Sequence, residues 1–139
     1  MDGRQLQTWL DRNNCDAEVV SRNHLKDNAP GRAYVVNLDN DDQPGSHWVA
    51  IWIGCAGAEY FDPIGLPPLF TDIEQFMDKA SGQWTYNDAE LQSVDSDVCG
   101  HYCLFYLFHR RRGMPLAYVQ YIIASTRGDD IVKQFVKLF

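Results

Sequence analysis

An α+β fold follows from three features of the chain. Two short strand patterns, at 47–53 and 58–62, flank Gly54-Cys55-Ala56-Gly57, which predicts a hairpin. The segment 98–112 is apolar on most sides through Leu104, Phe105, Tyr106, Leu107 and Phe108, which predicts a central helix buried on several faces. Two further helical patterns follow it. The expected architecture is a small mixed or antiparallel sheet packed on that buried helix, in a single domain over 1–139.

The elements can be justified in order. Leu6, Trp9 and Leu10 recur at helical spacing, so 5–12 is expected to be a short helix. Residues 13–32 read as polar and irregular, with Val19, Val20 and Leu25 as core anchors. Ala-Tyr-Val-Val-Asn-Leu at 33–38 reads as a strand, and the Asp, Asn, Pro and Gly of 39–46 as a turn. After the hairpin, 63–68 is a rigid proline-bounded loop. A helix is expected over 71–79 with Ile73, Phe76 and Met77 inward, then a short strand over 83–87. A loop over 88–97 leads to the apolar helix at 98–112, where Arg110-Arg111-Arg112 suits a helix C-terminus and Gly113-Met114-Pro115 stops it. Helices over 116–124 and 129–138 complete the chain.

Composition bounds the function. The chain is 45% hydrophobic and 22% charged, which excludes wholesale disorder. Its net charge of -7 and pI near 4.8 argue against general binding to nucleic acid or anionic membranes. No apolar run approaches the ~20 residues of a membrane span, and the first residues show no signal-peptide core. The four cysteines, Cys15, Cys55, Cys99 and Cys103, follow no secreted framework. Reduced thiols in an intracellular protein are expected.

The chemistry centres on Cys99. Cysteine at a helix start lies where backbone N–H groups and the helix dipole favour the thiolate. Ser96 and Asp97 precede it as N-cap candidates, and Gly100 follows, leaving room for a substrate backbone. Upstream, His47 opens a strand and Asp62 closes the next one, so base, orienting carboxylate and nucleophile occur in the order His, Asp, Cys. Gln92, seven residues before Cys99, can donate to an oxyanion beside the Cys99 backbone N–H. From the residues alone, Cys99 reads either as nucleophile or as a small core hydrophobe. His47 reads as base or surface residue, and Asp62 as orienting acid or turn former before Pro63. Trp48 reads either as core or as cover of a substrate channel. Cys103, one turn on, is assigned to the core. Although 99–103 holds two cysteines and His101, the ~100° turn per residue puts His101 on another face, so no metal site is expected. His24, His101 and His109 read as structural or surface residues.

Four blocks taken together resemble a known family: Gly45-Ser46-His47-Trp48-Val49-Ala50, Tyr60-Phe61-Asp62-Pro63-Ile64-Gly65, Gln92, and Ser96-Asp97-Val98-Cys99-Gly100-His101-Tyr102-Cys103. The sequence resembles the adenovirus-type cysteine endopeptidases (adenains) of the clan shared with SUMO-specific proteases. It is most similar to the short versions in adintovirus-like viruses, adomaviruses and Maverick/Polinton transposons. The resemblance implies an adenain-like fold with His47 as base, Asp62 as orienting acid, Cys99 as nucleophile and Gln92 as oxyanion donor. Trp48 and Gly100 would bound the substrate cleft. It further implies polypeptide substrates, namely viral precursor proteins cut at Gly-Gly or Gly-X sites in capsid maturation, by an enzyme in the host nucleus or cytoplasm or packaged in the virion. No cofactor is required for the chemistry, and a monomer is expected.

The chain departs from the adenoviral enzymes in two ways. Those are larger and basic and are activated by DNA and a peptide; this chain is acidic, so basal activity is expected to be independent of DNA, and any activator to be a basic or apolar peptide. Aspartate also stands where the adenoviral enzymes carry glutamate, as in the SUMO-protease relatives. The runner-up function is an isopeptidase removing SUMO or ubiquitin from host conjugates; a catalytically silent interaction module is a third.

Overall fold

The computed structural model describes residues 1–39, 47–91, 97–124 and 127–139, the side chain of Ser81 excepted. Among these, five strands form one sheet in the order β1-β2-β3-β4-β5, with five helices around it. The strands are β1 (Glu18–Ser21), β2 (Ala33–Asn37), β3 (Trp48–Gly54), β4 (Gly57–Phe61) and β5 (Trp84–Tyr86). The helices are α1 (Gly3–Arg12), α2 (Thr71–Ser81), α3 (Cys99–Arg111), α4 (Leu116–Ile123) and α5 (Gly128–Leu138). The architecture is therefore α+β, as expected, and the sheet is mixed: β2, β3 and β4 pair antiparallel, while β1 and β5 join the two edges in parallel.

Alternation along the strands divides the core. Ala33, Val35, Ala50 and Phe61 face α3, with Leu6, Trp9 and Leu10 of α1 and Val119, Ile123 and Val132 of α4 and α5 filling in around it. Tyr34, Val36, Val49, Ile51, Ile53, Ala58 and Tyr60 face the other way, onto Ile73, Phe76 and Met77 of α2. Both sheet faces are thus covered, so all five residues of β2 are buried. Nine of the 13 residues of α3 are buried, which places it centrally. Its Tyr106 ring stacks on Phe61 at 4.4 Å between centroids, a contact worth about 1 kcal/mol beyond its buried area.

Two local expectations are corrected and a third is extended. The stretch 13–32 contains β1, where Val19 packs toward the α3 side and Val20 toward the α2 side. A four-residue strand with one exposed position offers too little alternation to read, and its parallel pairing with β2 creates it. Asp97 does not cap α3: Val98 holds the N-cap position, without a side-chain hydrogen bond, and Asp97 is exposed. The other cap candidate, Ser96, lies outside the described residues. Finally, Arg110-Arg111-Arg112 is more than a helix-end run. Arg110 makes a two-pronged ion pair with Glu59 at 3.0 Å, and Tyr106 donates to the same carboxylate at 2.6 Å. Arg111 donates to the carbonyls of Asp16 and Gly31 and lies over the Trp52 ring. Arg112 stacks on Phe108. The guanidinium groups of Arg110 and Arg111 tie α3 to the sheet and its loops. No helix among the described residues is long and apolar enough to cross a membrane.

Candidate active site

The site forms at the end of the sheet opposite the β3–β4 turn. The register Ala50↔Phe61 sets the last residue of β4 three positions from His47, so His47 and Asp62 leave neighbouring antiparallel strands at the same end. His47 Nε2 lies 2.8 Å from Asp62 Oδ1. The start of α3 brings the Cys99 thiol to the same ring as a second hydrogen-bond partner. The Trp48 backbone N–H donates to Cys99 Sγ at 3.4 Å, and the Gly100 N–H also reaches the sulfur.

Each partner is fixed by its surroundings. Asp62 is 2% exposed, and its Oδ1 also accepts the Ile64 N–H at 2.9 Å. The Gly65 N–H returns to Asp62 O at 2.8 Å, closing a tight turn after β4. Gly65 has φ +86°, and a Cβ there would stand 2.8 Å from the Ala89 carbonyl carbon. Only glycine therefore permits this loop to pack so closely on residues 87–91.

The electrostatics favour an ion pair. Burial pushes the His47 imidazolium toward deprotonation, but its hydrogen bonds to Asp62 and Cys99 and their negative charge prevail and raise its pKa to about 9. Burial likewise disfavours the Cys99 thiolate, yet the His47 hydrogen bond, the Trp48 N–H, the imidazolium charge and the Gly100 N–H together lower its pKa. Cys103 is completely buried one turn deeper, and burial, followed by the Cys99 and Asp62 charges, holds its thiol well above the ordinary range. The surroundings thus shift the two thiols of α3 in opposite directions. Such a site can present a thiolate to an electrophilic carbonyl while a neighbouring imidazolium holds the proton a leaving group needs.

The other sequence-designated residues fall as follows. Trp48 is half-buried, its indole lying 3.5 Å from where a Cβ on Gly3 would stand, between the starts of α1 and α3. Gly100 is buried, and a Cβ on it would meet Leu6 Cδ2 at 3.0 Å and Trp48 Cδ1 at 3.7 Å. Its missing side chain serves the packing of α1 on α3, so on that side it faces the interior instead of an open cleft. Gln92 lies outside the described residues. Leu91, just before it, is anchored by its N–H to Pro63 O at 2.9 Å and by its carbonyl to the Tyr102 hydroxyl at 3.0 Å. Among His24, His101 and His109, His109 Nδ1 lies 2.7 Å from Phe105 O. A cavity of about 440 Å³ lined by Trp52, Cys55, Trp84 and Arg110 lies around the hairpin turn, at the other end of β3 from His47.

Sequence reading missed Asn87. It is 1% exposed and its side-chain amide pairs with the Asp62 backbone. The sequence places it only as the last residue of the short strand expected over 83–87, and nothing local marks it otherwise.

The fold has solved counterparts. No family model and no curated protein matches the chain. Among solved structures it is similar to the ASFV pS273R protease, in one crystal structure at TM-score 0.65 and 17% identity over 96% of this chain. A selenomethionine crystal structure of that protease matches at TM-score 0.55 and 23% identity over 76% of this chain. The chain spans 63% and 42% of those two solved chains, respectively. At these identities the likeness establishes a shared fold: this chain has the fold of that viral protease.

Proposed function

We propose that this protein is a cysteine endopeptidase in which Cys99 is the nucleophile, His47 the general base and acid, and Asp62 the orienting carboxylate. The observation that carries the reading is the convergence on the His47 ring of the Asp62 carboxylate, 2.8 Å from Nε2, and of the Cys99 thiol at the start of α3. The shared fold with a viral protease supports it.

In the proposed cycle the Cys99 thiolate attacks the scissile carbonyl carbon, forming a C–S bond and a tetrahedral oxyanion. The Cys99 backbone N–H at the start of α3 and the Gln92 side-chain amide stabilise that oxyanion. As the C–N bond breaks, the His47 imidazolium gives its proton to the leaving amine. The resulting thioester is hydrolysed by water deprotonated at His47, which returns the thiolate. Asp62 keeps the ring oriented and its positive form stabilised throughout. No cofactor enters any of these steps.

For substrates we propose precursor proteins of a virus or virus-like element, cut at Gly-Gly or Gly-X sites. The resemblance of the His47, Asp62 and Cys99 segments to adenain-type endopeptidases supports this preference. Activity independent of DNA is also proposed, since the arginines of 110–112 are already engaged by Glu59, backbone carbonyls and aromatic rings.

The test is incubation of the wild type and Cys99→Ala with Gly-Gly peptides and with SUMO and ubiquitin conjugates. Cleavage of free peptides that vanishes in Cys99→Ala is expected. Release of modifiers without peptide cleavage would favour an isopeptidase, and Cys99-independent hydrolysis would contradict the reading. Within the same assay, Gln92→Ala should leave the fold intact and reduce turnover ~10²-fold, the usual cost of one oxyanion donor. Unchanged turnover would make Gln92 an ordinary loop residue.

A further inference from the structure

We infer that Asn87 is a positioning residue that holds Asp62 in line with His47, an assignment that rests on the Cys-His-Asp reading above. The parallel register Tyr60↔Tyr86 brings the position after β5 alongside the end of β4. There the ladder stops, and the Asn87 side chain takes over. Its Oδ1 accepts the Asp62 N–H at 2.8 Å, and its Nδ2 donates to Asp62 O at 2.5 Å. Nδ2 also lies 3.5 Å from Ala89 O. A carboxamide carries the same donor and acceptor as a peptide group, so Asn87 extends the sheet by one rung without a backbone partner.

That rung falls on the residue whose orientation matters. The Asp62 carboxylate must satisfy both His47 Nε2 and the Ile64 N–H through Oδ1, at 2.8 and 2.9 Å. Small rotations of the Asp62 backbone swing Oδ1 away from the ring. With both residues almost wholly buried, water cannot replace the lost partner cheaply. The same loop pair is bound again by Leu91 N–H to Pro63 O and by the close pass of Gly65 over Ala89. The carboxylate is thereby held by the segment that runs on toward Gln92 and Cys99. The side-chain hydrogen bonds of Asn87 fall on the Asp62 backbone and reach toward Ala89 O, so its effect on the reacting groups passes through Asp62.

The experiment uses the full chain with Asn87→Asp, which is nearly isosteric but sets an acceptor against Asp62 O, and Asn87→Ser, which shortens the side chain. Alkylation of Cys99 by iodoacetamide is followed against pH by peptide mass spectrometry, together with kcat and KM on a Gly-Gly peptide and the melting temperature. Both variants should show kcat lowered ~10- to 100-fold with KM nearly unchanged, as expected for misalignment of about 1 Å. The upper step of the alkylation profile, set by loss of the His47 proton, should move down by about one pH unit. In an Asp62→Asn background, Asn87→Ser should cause no further loss of kcat.

Folded variants with a wild-type alkylation profile and kcat, and only a lower melting temperature, would overturn the assignment. So would additive effects in the double variant, or failure of both variants to fold. A wild type whose Cys99 reacts like an ordinary thiol and cleaves nothing would instead bring down the protease reading itself.

Discussion

Replacing His47 with alanine is expected to lower kcat/KM ~10⁴-fold or more, because nucleophile, base and acid roles act as one unit. The ring supplies the hydrogen bond and positive charge that offset burial of the Cys99 thiolate. Without it, burial dominates and the sulfur reverts to a thiol at neutral pH. It also removes the proton donor for the leaving amine. The fold should persist, since the side chain is 19% exposed at the mouth of a strand and Asp62 retains the Ile64 and Asn87 hydrogen bonds. Circular dichroism and iodoacetamide alkylation at pH 6 separate the outcomes. A folded His47→Ala whose Cys99 still alkylates rapidly would show that the helix start alone activates the sulfur.

Asp62→Asn is expected to reduce kcat ~10²- to 10⁴-fold and to change the pH profile in a definite direction. In the wild type, activity requires Cys99 deprotonated and His47 protonated. Falling pH removes activity as the thiolate takes up a proton; rising pH removes it as the imidazolium loses its proton, at about 9. The Asp62 hydrogen bond and charge both raise the His47 pKa, so removing the charge must move the alkaline limb to lower pH. The active window narrows from its alkaline side. An alkaline limb that stays near its wild-type position in Asp62→Asn would mean that Asp62 does not hold the imidazolium. The asparagine Oδ1 can still accept the Ile64 N–H, so stability should fall less than activity.

How much of this was legible in the chain depends on how local each signal is. The hairpin was readable because Gly54-Cys55-Ala56-Gly57 separates two alternating runs, and its register alone brings His47 toward Asp62. The central helix was readable because an apolar surface on nearly every side has no other use. The strand β1 was not, since its four residues acquire their identity from pairing with β2. Nor was the engagement of Arg110, because its partner Glu59 lies 51 positions away and meets it only when α3 crosses the sheet. Gly100 illustrates a different limit. A glycine after the nucleophile invites a substrate explanation, whereas the structure sets Leu6 against it. Asn87 shows the same limit in reverse, an unremarkable polar residue whose partner is decided by strand order.

The most direct test of the central claim is covalent capture with a peptide ending in Gly-Gly and a vinyl ester electrophile, followed by intact-mass measurement and peptide mapping. One adduct per chain is expected, on Cys99, even though Cys55 is exposed and Cys99 only 7% so. The adduct should disappear in His47→Ala. Labelling that falls on Cys55, or that reaches Cys99 equally well without His47, would contradict an activated Cys99–His47 pair.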